Sequence, residues 1–226
     1  MILLALLLAA PSVTDAERTL AAQARSAGPW QALRAAAAPD AILYTPRKTS
    51  AAAAMAHGAE TAAPLAGQPL HTWTSCDGTL GYAIGTSARG TSGTLWRRNG
   101  GGWQWIYAGG HDDAPPSTAV LEDHAACPGP IGAAFQLSEP LPDTPVPIAV
   151  LTGGALAGLV AIADGRMPTA LRLAGTDAEG ASADRTLRWR INAVVGARPG
   201  AHLLRLWSWD GRRYRLALFD VTGTTG

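Results

Sequence analysis

Residues 70–109, LHTWTSCDGTLGYAIGTSARGTSGTLWRRNGGGWQWIYAG, decide the fold. Four runs of strand-forming residues follow one another at short spacing, and turn chemistry separates them. Runs 70–76 and 79–86 flank Asp77-Gly78, a dipeptide suited to a tight primed turn, and runs 93–98 and 103–109 flank Asn99-Gly100-Gly101-Gly102. This pattern predicts an antiparallel meander. Alternation places Leu80, Tyr82 and Ile84 on one side of their strand, and Trp103, Trp105 and Tyr107 on one side of theirs, the side expected to face helices. His111 joins that side if the strand is regular. A bulge at Gly109-Gly110 would bring in Asp112 instead.

Upstream, residues 15–38 have helical spacing, with Leu20, Ala24 and Ala27 recurring and Thr14 or Asp15 as the expected N-cap. Gly28-Pro29 divides the run into two helices, the second carrying Trp30 and Leu33. A short strand at 41–45 ends at Pro46, and a weak Ala-rich helix at 50–57 follows. The first ten residues, MILLALLLAA, are apolar, uncharged and too short to span a bilayer. With Pro11-Ser12 they predict a signal peptide over 1–12 and a periplasmic or secreted product; a cytoplasmic apolar leader is the alternative.

Downstream, eight prolines between Pro115 and Pro147 predict a linker over 114–147. The uncharged run 146–163 contains Pro147, Gly153, Gly154 and Gly158, which favour short buried strands over a membrane span. Residues 148–226 read as a β-rich segment with strands at 186–195, 202–209 and 213–221. Trp209-Asp210-Gly211 and Tyr214 echo the turn at 99–102, but hairpins alone produce such an echo, and no duplication is read from it.

Composition sets outer limits. The 226 residues are 47% hydrophobic and 15% charged, with a formal net charge of +1, so neither nucleic acid nor an anionic membrane is an expected partner. Cys76 and Cys127 form either a disulfide closing a loop of about 50 residues or two buried thiols. Neither zinc-ligand spacing nor a P-loop, a dinucleotide fingerprint or a nucleophile elbow is present, so no metal or cofactor is expected.

Two regions resemble a SnoaL-like domain of the nuclear transport factor 2-like superfamily. The first is Trp30 with Ala38-Pro39-Asp40-Ala41 leading into Ile42-Leu43-Tyr44-Thr45-Pro46. The second runs from Ser75-Cys76-Asp77-Gly78-Thr79-Leu80-Gly81-Tyr82 to Leu95-Trp96-Arg97-Arg98 and Gly102-Trp103-Gln104-Trp105-Ile106. With the preceding helix the resemblance covers about 100 residues. It implies an α+β fold in residues 14–113, a curved antiparallel sheet wrapped on N-terminal helices to leave a cone, with a C-terminal β-rich extension. It also implies dimerisation through the outer sheet face.

Such a cone would be lined by Trp30, Tyr44, Tyr82, Trp96, Trp103, Trp105, Tyr107 and His111, an aromatic surface with few polar groups. The expected function is an exported, non-catalytic domain that binds a small apolar or aromatic molecule, free of the membrane once the signal is removed. An isomerase, dehydratase or cyclase using Asp40 or His111 as base beside a tyrosine is the first alternative. A structural or dimerisation module is the second. Asp40 also suits a local backbone hydrogen bond, the tyrosines suit an amphipathic core, and His111-Asp112-Asp113 suits a polar strand exit.

Overall fold

The computed structural model describes residues 11–44, 48–56, 67–86, 91–100, 102–111, 121–128, 141, 159–161, 172–195 and 201–222. Residues 1–10 of the signal peptide expected over 1–12, most of 114–147 and most of 146–163 lie outside them. Among the described residues, no helix is long and apolar enough to cross a membrane.

Helix α1 (Val13–Ala27) begins two residues earlier than its spacing suggests, because Ser12 is its cap. The Ser12 hydroxyl accepts from the Asp15 N–H at 3.1 Å and the Asp15 carboxylate accepts from the Ser12 N–H at 3.0 Å, a capping box that satisfies two donors reciprocally. Gly28 ends α1 and Pro29 opens α2 (Pro29–Ala36). Then come β1 (Ala37–Tyr44), β2 (Lys48–Ser50), α3 (Ala51–Ala56), β3 (Pro69–Thr74), β4 (Leu80–Thr86), β5 (Thr91–Asn99), β6 (Gly102–His111) and β7 (Leu121–His124). These seven strands form one sheet in the order β2-β1-β6-β5-β4-β3-β7. It is mixed: β1 runs parallel to β6, and β7 parallel to β3. Strand β7 lies within what reads as a linker.

A second sheet, antiparallel throughout, contains β8 (Leu159–Ala161), β9 (Arg172–Ala181), β10 (Leu187–Val195), β11 (His202–Trp209) and β12 (Tyr214–Thr222) in the order β8-β12-β11-β10-β9. The described chain is thus mostly β, built on two sheets, which overturns the expected α+β cone with an antiparallel sheet and a C-terminal extension. The C-terminal strands are a full layer, packed on the sheet face that the helices leave bare. Leu187, Trp189, Ile191, Leu204, Leu206 and Leu218 share one buried cluster with Leu80, Tyr82, Ile84 and Leu95. On the opposite face of the second sheet, Leu203, Trp207, Trp209, Tyr214 and Leu216 form another cluster, onto which Ala126 and Leu141 pack.

The cause is visible in β4, whose first six residues are all buried. A half-solvated strand would alternate; this one is covered on both faces. Gly81 and Ala83 face the helices, and Leu80, Tyr82 and Ile84 face the second sheet. Helix α1 approaches so closely that a Cβ on Gly81 would stand 2.2 Å from Val13 Cγ2 and 2.9 Å from the Trp73 carbonyl oxygen. Gly81→Ala is therefore expected to cost about 1–3 kcal/mol by forcing α1 off the sheet, measured as a lower urea midpoint at unchanged slope.

Strand parity also changes in β6. Trp96 pairs with Trp105 while Leu95 pairs with Tyr107, so one extra residue, Ile106, lies between the two pairs. Of the two cases, the strand is regular at Gly109-Gly110, where Gly93 pairs with Gly109 and Ser92 with Gly110. The irregularity at Ile106 turns Tyr107 to the face opposite Trp105, correcting the expectation that the three aromatic residues of β6 point together.

Candidate functional site

On the helix side the tryptophans fill the space in which a cone would open. Trp105 is fully buried and donates its indole N–H to the Leu33 carbonyl at 2.8 Å. Trp96, 1% exposed, donates to Glu17 Oε1 at 2.6 Å. Trp103 is half-buried, donates to the Pro11 carbonyl and lies under the Arg98 guanidinium, 5.1 Å from the ring centroid. Trp30 packs at the margin of the core. Between α1, α2 and Trp96 and Trp103 a hollow of about 280 Å³ remains. Burial pushes the Glu17 carboxyl up to about 7, against the opposing hydrogen bonds from Trp96 and Thr94.

The tyrosines lie elsewhere, at the seam between the sheets, and their partners come from the second sheet. Tyr82 donates to Asp220 Oδ2 at 2.6 Å, and Tyr107 Oη lies 2.8 Å from His202 Nε2; all four residues are fully buried. Gly93 makes room for the first pair, since a Cβ there would stand 2.0 Å from Tyr82 Oη. Tyr44 stacks on His202 with ring centroids 3.8 Å apart and donates to Asp177 Oδ2 at 3.4 Å. Burial, then the Asp177 and Asp220 carboxylates, hold the Tyr44 and Tyr82 hydroxyls well above their ordinary range, so both stay protonated.

Asp40 is not at the seam. Its carboxylate, 64% exposed, takes two hydrogen bonds from Arg97 at 3.0 and 2.6 Å, which lower its proton affinity. His111 pairs in register with Thr91, and its side chain, like Asp112 and Asp113, lies outside the described residues. Among the described residues, the acids and imidazole that bond to or stack on the three tyrosines are Asp177, Asp220 and His202, which the sequence did not bring together. Glu17 carried a legible signal, because Val13, Glu17, Leu20 and Ala24 fall on one helical stripe.

Where β7 meets the β11–β12 hairpin lies an open cleft of about 520 Å³. Trp73 and Trp209 line it, with Asp123, His124, Asp210 and Arg215. His71 stacks on Trp73 at 3.9 Å and pairs with Asp123 at 2.8 Å. Arg215 pairs with Asp210 and holds that carboxyl down at about 2, helped by the Arg213 and Arg212 N–H groups. The Ala126 N–H donates to the Trp209 carbonyl at 2.8 Å, closing the β7 segment onto β11. Cys76 and Cys127 form a disulfide, with Cα atoms 5.2 Å apart, that fixes the same segment. The indole N–H of Trp209 is buried and has no acceptor among the described residues. Nor, among these residues, does any group of three or more His, Cys, Asp or Glu side chains form a metal site.

No family model, curated protein or solved structure matches this chain.

Proposed function

We propose that this protein is a non-catalytic binding domain, working outside the cytoplasm, that holds a small apolar or aromatic molecule bearing a hydrogen-bond acceptor in the cleft between Trp73 and Trp209. The observation that carries this reading is the buried Trp209 indole N–H, which has no acceptor among the described residues. A buried donor without an acceptor costs about 1–3 kcal/mol, and an acceptor on a ligand would recover it. The cleft falls within the range of small-molecule pockets, and it combines aromatic walls with a few convergent polar groups. The Cys76–Cys127 disulfide is of a kind that persists in oxidising compartments, which supports the placement.

Differential scanning against a library of small aromatic compounds tests the reading. A compound at about 100 times its Kd adds ~2.7 kcal/mol, a rise of roughly 5–10 °C for a chain of this size. Trp209→Phe keeps an aromatic wall and removes the donor, so affinity for the stabiliser should fall about tenfold. The Trp209 indole resonance should also move on titration. A library that stabilises nothing, or a stabiliser that moves the Trp96 and Trp105 indoles and leaves Trp209 in place, would sink the proposal.

A further inference from the structure

The turn between β3 and β4 and the turn between β9 and β10 have the same internal hydrogen bonds. In the first, Ser75-Cys-Asp-Gly-Thr-Leu80, Ser75 Oγ donates to Asp77 Oδ1 at 2.7 Å and Asp77 Oδ1 accepts from the Thr79 N–H at 2.9 Å. The Leu80 N–H returns to Ser75 Oγ at 3.1 Å. In the second, Ser182-Ala-Asp-Arg-Thr-Leu187, the three equivalent bonds measure 2.6, 2.9 and 3.1 Å. Gly78 and Arg185 occupy the same place with φ of +66° and +61°, and Arg185 is the one non-glycine residue with positive φ among the described residues.

The correspondence continues through both meanders. Leu80 and Ile84 answer to Leu187 and Ile191, Leu95-Trp96 to Leu206-Trp207, and Asn99-Gly100 to Asp210-Gly211. Strand order is the same, β6-β5-β4-β3 against β12-β11-β10-β9. The bulge recurs at the same step, between Leu95 and Trp96 in one sheet and between Leu206 and Trp207 in the other. The Arg98 N–H bonds the Thr79 carbonyl at 2.8 Å, as the Trp209 N–H bonds the Thr186 carbonyl at 2.8 Å. A shared hairpin type would account for one of these agreements; it does not set the register of four strands and the place of a bulge.

The two turns also clasp each other reciprocally. Asp184 Oδ2 accepts from the Asp77 N–H at 2.9 Å, and Asp77 Oδ2 from the Asp184 N–H at 2.7 Å. Thr186 Oγ1 accepts from the Cys76 N–H at 2.8 Å, and Thr79 Oγ1 from the Ala183 N–H at 3.0 Å. When residue i contacts j′ and j contacts i′, the contact is isologous, the mark of a two-fold interface. We infer that β9–β12 is a second copy of β3–β6, and that the seam is a dimer interface internalised in one chain. The partner fitting the helix-free face of the first sheet is thus that sheet's own copy. The copies share their packing and clasp residues but not their buried polar pairs: the counterparts of Tyr82 and Asp220 are Trp189 and Gly109, and those of Tyr107 and His202 are Leu218 and Thr91. The seam is two-fold in backbone and one-sided in chemistry.

Equivalence of the two turns is testable in the full chain. Asp77→Asn and Asp184→Asn each replace an accepting oxygen with a donor facing donors. Each is expected to lower Tm by about 4–8 °C, the two losses agreeing within a factor of two. The double variant should lose clearly less than the sum, because each carboxylate bonds the other's turn. Thr79→Val and Thr186→Val repeat the comparison with milder changes, so it survives if the Asp variants do not fold. Additive losses in the Asp pair, or a member of either pair that is silent while its counterpart destabilises, would overturn the inference.

Discussion

Glu17→Gln is expected to raise stability by about 3 kcal/mol at pH 8 and to change it little near pH 4. Glu17 is 5% exposed on the buried face of α1, and burial disfavours its charged form, moving its proton affinity from the ordinary 4.5 to about 7. The unfolded chain therefore releases this proton at lower pH than the folded chain does. The carboxyl favours the folded state below about pH 4.5, and that contribution is lost as pH rises through about 7; the gap corresponds to ~3 kcal/mol. Glutamine keeps an oxygen to accept from the Trp96 indole and never ionises. Chemical denaturation of parent and variant at pH 4, 6 and 8 measures the difference, and a gain independent of pH would refute this account of Glu17.

Cys76→Ala with Cys127→Ala is expected to lower stability by about 4 kcal/mol, the loop-closure entropy of a bridge spanning 51 residues. For a chain of this size that is roughly 8–16 °C in Tm, and reduction of the parent should produce a similar fall. Cys127 follows β7, an edge strand of four exposed residues held on β3. Loosening that segment should also weaken any occupant of the cleft, because Asp123, His124 and Ala126 belong to it. Two alkylated thiols recovered from native protein, or a melting curve indifferent to reductant, would exclude the bridge.

The elements of the fold were legible where local chemistry decides them. Gly28-Pro29 separates two helices because glycine can end one and proline can begin the next. Asp77-Gly78, Asn99-Gly100 and Asp210-Gly211 mark hairpins through the glycine that adopts positive φ in each. The candidate site was legible only in its aromatic residues. Strand alternation assigned Tyr107 to the side of Trp105, and one extra residue at Ile106 reversed it; nothing in Trp105-Ile106-Tyr107 announces a bulge, which arises from pairing with β5.

Residue order by itself thus determined the local elements, the hairpin turns and the pairable spacing of the cysteines, because those depend on φ preferences and neighbours a few positions away. Tertiary structure decided which face each element buries. Only the docking of β9–β12 on the helix-free face brought Asp220 to Tyr82, His202 to Tyr107 and Trp209 into the cleft that Trp73 also lines. Burying apolar surface is non-directional, so an exposed sheet face demands a cover without naming it. The cover came from residues such as His202 and Asp220, 95 and 138 positions from their partners, where the reciprocal clasp of Asp77 and Asp184 sets the register.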